Sequence, residues 1–185
     1  MRQPSMIIRK AFLTLFAFSL CAFAFAEARA NSIDDTEFFV RQQYKDFISP
    51  SYTPSNSEVF TKMSQIDSCG SNAACINTQR VLVSRAFWDD SRFRSQSRTF
   101  GLSNTSGLEL YDTYDFVELS YLVYLQRSSD SAPDDYQRLG FYFWKGSLDN
   151  CIANATTFSQ SSQCYNDIIN AFLSSTEYRS RFGTP

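Results

Sequence analysis

Ala171 to Gly183 reads AFLSSTEYRSRFG. The stretch predicts a helix that breaks at Ser174-Ser175-Thr176 and a second short helix closed by Gly183, with Ser175 and Thr176 as cap candidates. Phe172, Leu173, Tyr178 and Phe182 are its packing residues. Ala86 to Ser95, AFWDDSRFRS, carries the same pattern at an offset of 85: Ala86 matches Ala171, Phe87 matches Phe172, Phe93 matches Tyr178, Arg94 matches Arg179 and Ser95 matches Ser180.

A second pair of stretches extends the match. FFVRQQYKDFI (38–48) lies over DFVELSYLVYL (115–125) at an offset of 77, so that Phe39 meets Phe116, Val40 meets Val117, Tyr44 meets Tyr121, Phe47 meets Tyr124 and Ile48 meets Leu125. The difference between the offsets is net insertion in the second unit, where the cysteine loop is longer. Matched core positions with variable loops are the signature of a duplicated unit. No stretch alternates with period two for long enough to read as a strand. The expected fold is all-α: a compact helical bundle built from two similar helical units, with short loops tied by local disulfides. The units are 31–100 and 112–185, joined by a connecting segment at 101–111.

The first 30 residues stand apart. Arg2, Arg9 and Lys10 form a basic start, Ala11 to Ala26 is an uncharged apolar run, and Ala28-Arg29-Ala30 offers small residues for cleavage, with Ala24-Phe25-Ala26 as an alternative. This is the pattern of a secretory signal peptide. An uncleaved membrane anchor is the competing reading, and the run is short for a span of ~20 residues. Cys21 follows Leu20, which is not the small residue a lipoprotein signal needs. Without Arg2, Arg9, Lys10, Arg29 and Glu27, the 17 basic and 19 acidic residues become 13 and 18, a net charge of −5. That balance lacks the electrostatic footprint of a nucleic-acid binder.

Four cysteines remain in an exported chain: Cys69, Cys75, Cys151 and Cys164. Four allow three pairings; each near pair lies within one unit, so Cys69–Cys75 and Cys151–Cys164 are the expected disulfides. A zinc site is the weaker alternative, because the spacings are not close CxxC pairs and the chain has no histidine.

Helix signals follow in order. Asp34 as cap with Glu37 three residues on predicts a helix to about Ile48, with Ile33 and Phe38 as a hydrophobic staple. Further helices are expected over about Ser57–Ile66, Ala73–Trp88 and Arg92–Ser97. In the second unit, Asp112 or Thr113 opens a helix to about Arg127 and Asp134-Asp135 opens another carrying Leu139, Phe141, Trp144 and Leu148. A Ser/Thr-rich loop closed by Cys151 and Cys164 then leads to the last long helix.

These residues resemble a known family. Phe39-Val40…Tyr44…Phe47 and Phe116-Val117…Tyr121…Tyr124 look like the opening of the bacterial domain-of-unknown-function family 4214. Gly140-Phe141-Tyr142-Phe143-Trp144 resembles that family's Gly-Leu-x-x-Trp segment. Ala171-Phe172-Leu173-Ser174 with Glu177-Tyr178-Arg179 and Phe182-Gly183 resembles its closing helix, and Cys69-Gly70…Cys75 followed by Arg85-Ala86-Phe87 resembles a cysteine-bearing variant of it. The first unit has no tryptophan at the Gly-Leu-x-x-Trp position. The resemblance implies two tandem all-helical modules, similar in architecture to phycobilisome linker domains, and implies no established activity.

Chemistry-bearing motifs are few. The absence of histidine removes Ser-His-Asp and Cys-His catalysis. The six glycines form no phosphate cradle, and no cofactor is expected. Asp34-Asp35, Asp89-Asp90 and Asp134-Asp135 have the composition of calcium ligands or a glycosidase carboxylate pair, but each stands before an expected helix, where capping explains it. Arg94 and Arg179 are candidate anion contacts or local ion-pair partners. Trp88 and Trp144 are candidate glycan-stacking residues or core. Asn104-Thr105-Ser106 and Asn154-Ala155-Thr156 are glycosylation sequons. The expectation is a secreted or periplasmic, non-enzymatic module that meets a protein or glycan partner at the cell envelope, with no nucleic acid and no membrane after cleavage. A carboxylate-dependent glycan-active enzyme and a small-ligand binder are the alternatives.

Overall fold

Side-chain caps set where most helices begin. The computed structural model describes residues 31–96, 112–134 and 136–183. The leader over 1–30, the connecting segment over 101–111 and the sequon at Asn104 lie outside them. Asp35 caps α1 (Thr36–Phe47) by accepting from the Phe38 N–H at 2.7 Å. Ser55 and Glu58 form a capping box on α2 (Asn56–Asp67). Asn72 caps α3 (Ala73–Trp88), Asp90 caps α4 (Ser91–Arg94) and Asp112 caps α5 (Thr113–Ser120). After α6 (Leu139–Asn154), Thr157 and Gln160 form a second capping box on α7 (Phe158–Ser174). Ser175 caps α8 (Thr176–Ser180) by accepting from the Tyr178 N–H at 3.1 Å, as the closing stretch predicts. Each such cap contributes roughly 0.5–2 kcal/mol.

Four expectations are corrected. Asp35, not Asp34, caps α1. Asp34 ends a 3-10 turn (Ser32–Asp34) and pairs with Arg179, while Phe38 makes an edge contact with Phe182 at 5.7 Å. The helix opened by Asp112 is α-helical only to Ser120. Tyr121–Leu125 is a π-helical turn, ended by Gln126 in the left-handed region at φ 55°. Asp134 starts no helix, because Arg127 Nη2 donates to its carboxylate at 2.7 Å and α6 begins at Leu139 instead. Most of the expected loop between Cys151 and Cys164 is helix, with only Ala155–Thr157 left between α6 and α7.

Among the described residues the fold is all-helical, and both expected disulfides are present. Cys69–Cys75 ties the α2–α3 turn, and Cys151–Cys164 clamps α6 to α7. Among the described residues, no helix is long and apolar enough to cross a membrane.

Within each half the helices pack on one another. α1, α2 and α3 pack on one another, as do α5 with α6 and α6 with α7. The matched aromatic positions are all buried, and their ring contacts correspond. Tyr44 meets Phe87 edge-on at 4.7 Å and Tyr121 meets Phe172 edge-on at 5.4 Å. Phe47 meets Phe93 at 5.0 Å, and Tyr124 meets Tyr178 at 6.1 Å. The halves join through corresponding parts: α3 lies on α7, α1 meets the π turn, and Phe47 meets Tyr124 at 5.8 Å. One apolar cluster therefore runs through both. Within it the Tyr124 hydroxyl lies 2.7 Å from Ser84 Oγ and accepts from Trp88 Nε1 at 3.2 Å.

Polar ties close the chain on itself. Asn31 Nδ2 donates to the carbonyls of Arg179 at 2.9 Å and Gly183 at 2.6 Å. Arg179 grips both carboxylate oxygens of Asp34, at 2.9 and 2.8 Å. Asp46, only 2% exposed, accepts from Arg181 Nη2 at 2.7 Å and from Gln42 Nε2 at 2.7 Å.

These ion pairs fix the direction of the acid response. The Arg92 guanidinium, with Ser55, lowers the Glu58 carboxyl from 4.5 to about 2. Hydrogen bonds from Arg179 and Arg92 lower Asp34 and Asp90, and one from Lys145 lowers Asp149. A carboxyl whose pKa is lower folded than unfolded stabilises the fold above its unfolded pKa and loses that contribution as pH falls through the folded value. Unfolding free energy is therefore expected to fall between about pH 4.5 and pH 2, the interval set by Glu58. Urea titrations across that range check this, and Glu58→Gln should flatten the profile. These side chains are partly solvated, so the slope should be modest and weaken with salt.

Candidate functional site

A concave feature with convergent polar groups lies in the second half. Gly140 and Trp144 are four residues apart on α6 and so share one face of that helix. α7 supplies Phe172, the α7–α8 break supplies Ser175, α8 supplies Glu177, and the chain beyond the π turn supplies Arg127 and Asp134. With Tyr121, these residues line a pocket of about 240 Å³.

Arg127 organises its polar side. Nη2 donates to Asp134 at 2.7 Å and to Glu177 at 3.0 Å, and Nη1 donates to the Ser131 carbonyl at 3.0 Å. The guanidinium lies 5.0 Å from the Tyr121 ring centre, a cation–π contact. The hydrogen bond to Glu177 raises the Arg127 pKa. Burial, with Asp134 next in effect, pushes the Tyr121 hydroxyl up to about 12, so it stays protonated and donates to Asp134.

Gly140 makes room for that donation. A Cβ there would meet Tyr121 Oη at 2.6 Å and Asp134 Oδ1 at 2.7 Å, whereas a Cβ at Gly146 meets nothing within 4 Å. Both glycines are in α6, where alanine gains about 1 kcal/mol of helix propensity. Gly146→Ala is therefore expected to raise stability by up to that amount. Gly140→Ala is expected to lower it, because overpacking of roughly 1–3 kcal/mol exceeds the gain. Paired melting curves check the opposite signs.

At the matched positions of the first half, Tyr44 and Phe87 carry other side chains against their rings. Tyr52 stacks on Tyr44 at 5.7 Å with 22° between the rings. Its hydroxyl donates to Glu58 at 3.1 Å and accepts from Arg92 Nη1 at 2.5 Å. Lys62 Nζ stands 4.5 Å from the Phe87 ring centre.

The residues singled out by sequence have separate fates. Trp88 is 0% exposed within the core and presents no surface to a ligand. Trp144 is half-buried, 5.7 Å from Phe172, at the pocket wall. Arg94 pairs with Asp89 at 3.6 Å, and Arg179 holds Asp34. These two arginines match in sequence but take different partners, and neither lies in the pocket. The four cysteines are consumed by disulfides.

No family model, curated protein or solved structure matches the chain. The site is thus read from its geometry. Arg127, Asp134 and Glu177 were missed as a group because they converge only through tertiary packing. Gly140 and Trp144 had a signal, the segment resembling Gly-Leu-x-x-Trp. Among the described residues no cluster of three or more Cys, Asp or Glu is arranged to hold a metal ion.

Proposed function

We propose that this chain is a secreted or periplasmic, non-enzymatic helical module, built from two copies of a unit of the family 4214 type, that engages a protein or glycan partner at the cell envelope. The observation that carries this reading is the aromatic face beside the pocket. Leu139, Tyr142 and Phe143 of α6 are 65%, 56% and 62% exposed, and Phe143 touches Trp144 at 4.9 Å. Contiguous exposed apolar side chains of this kind mark interaction surfaces. Export is supported by the basic-then-apolar leader and by two disulfides, which persist in oxidising compartments. Asn31, the first residue after Ala30, has its side chain tied to the Arg179 and Gly183 carbonyls.

The acidic pairs have structural partners: Asp35 and Asp90 cap helices, Asp34 pairs with Arg179, and Asp89 pairs with Arg94. Asp134 and Glu177 both receive hydrogen bonds from one guanidinium, which fits a binding wall better than a free acid and base.

Expression with the native leader in a bacterial host tests the reading. Mature protein should be recovered from the periplasm or medium with its amino terminus near Asn31. It should bind envelope fractions through α6, so that Tyr142→Ser with Phe143→Ser weakens retention, and it should release no reducing ends from polysaccharides. Cytoplasmic retention, or reducing-end release abolished by Asp134→Asn, would overturn it.

A further inference from the structure

Among the described residues, the first half places the Tyr52 ring where the second half has an open pocket. In register, Tyr44, Ala86, Phe87 and Arg92 correspond to Tyr121, Ala171, Phe172 and Glu177. Around the first set the Tyr52 ring is stacked on Tyr44, its hydroxyl held between the Glu58 carboxylate and the Arg92 guanidinium. Around the second set lies the pocket of about 240 Å³. It offers the same chemistries: the Tyr121 ring, a guanidinium on Arg127, and carboxylates on Asp134 and Glu177. Trp144 adds a second aromatic wall.

We propose that this pocket binds one phenol ring from outside the chain, of the kind a tyrosine side chain presents, with Tyr52 as its built-in counterpart in the first half. Three features select this ligand. The volume falls below the ~300–1,000 Å³ of pockets for drug-sized molecules, so it admits a single ring. Aromatic walls favour an aromatic ring in offset or edge contact. One guanidinium and two carboxylates leave the polar side net negative, which disfavours phosphate or carboxylate ligands and suits a hydroxyl that donates. The proposal deepens the interaction role above by giving the partner's chemistry, and rests on that role only for where the phenol comes from.

The test uses the isolated, oxidised mature protein, so its outcome is independent of envelope binding. N-acetyl-L-tyrosinamide is titrated into isotope-labelled protein and followed by amide chemical shifts. Saturable shifts are expected at Tyr121, Asp134, Gly140, Trp144 and Glu177. N-acetyl-L-phenylalaninamide, lacking the hydroxyl, should bind roughly fivefold more weakly through loss of one hydrogen bond. Trp144→Ala should weaken binding of the tyrosine probe several-fold while Gly146→Ala leaves it unchanged. Addition of a tyrosine-containing peptide should reproduce the shifts if a partner chain is the source, and their absence with the peptide assigns the pocket to a free phenol. No saturable shift, equal affinity for the phenylalanine probe, shifts mapping elsewhere, or saturation by N-acetylglucosamine in place of the tyrosine probe would each overturn the proposal. The comparison between probes is made on the unaltered protein, so it stands even if Trp144→Ala does not fold.

Discussion

Phe47→Ala is expected to lower the stability of the whole protein by about 3–5 kcal/mol, the range for truncating a large buried aromatic. Phe47 is 0% exposed, and its ring meets Phe87 at 5.4 Å, Trp88 at 5.6 Å, Phe93 at 5.0 Å and Tyr124 at 5.8 Å. The first three belong to the first half and the fourth to the second. The cavity left by the ring therefore opens at the seam, where α1, α3 and the π turn all lose a neighbour. Loss of stability should be seen equally by probes in either half, since the variant weakens one shared core. Urea denaturation followed by the amide resonances of Phe87 in the first half and of Phe172 in the second supplies the two readings. Phe60→Ala is the control: Phe60 is 70% exposed, and its truncation should change stability by no more than about 0.5 kcal/mol.

Arg181→Met is expected to cost nearly as much, about 3 kcal/mol, for an electrostatic reason. Arg181 is the main cationic partner of the buried Asp46 carboxylate, at 2.7 Å, and also donates to the Tyr124 carbonyl. Removing one member of a buried pair leaves the other charge desolvated without its counterion, at a cost of roughly 3–5 kcal/mol. The low end applies here, because Gln42 still donates to Asp46 and Arg181 is itself partly solvated. Asp46→Asn combined with Arg181→Met should recover much of the loss, since no buried charge remains. A double-mutant cycle measured by denaturation gives the coupling, and additive single losses would refute a direct pair.

The contrast between these two residues shows what was legible in the sequence. Phe47 could be placed because apolar spacing at helical period marks a buried face, and because Tyr124 stands at the matching position. Ser175, Asp90 and Asp112 were legible as caps because a short polar side chain before an apolar-periodic stretch has a local job. The disulfides followed from proximity in the chain. Asp46 could not be placed: a carboxylate among Lys45, Gln42 and Arg41 reads as a solvated helix face, and its partner lies 135 residues away. Asp134 misled for a related reason. Its position before an apolar stretch resembles a cap, but Arg127, seven residues earlier, captures the carboxylate. The π turn at Tyr121–Leu125 had no signal, since the ring spacing that buries Tyr121 and Tyr124 is shared with an ordinary helix. The pocket was half legible, in Gly140 and Trp144. The remainder depends on which loop residues fold back and, among the described residues, on no side chain of the second half playing the part of Tyr52.

Both large effects rest on the same claim, that two corresponding halves share a single aromatic core. Scanning calorimetry of the oxidised mature protein tests it most directly. One transition is expected, with the calorimetric enthalpy equal to the van't Hoff enthalpy, and Phe47→Ala should move that whole transition to lower temperature. Two resolved transitions, of which Phe47→Ala moves only one, would contradict it.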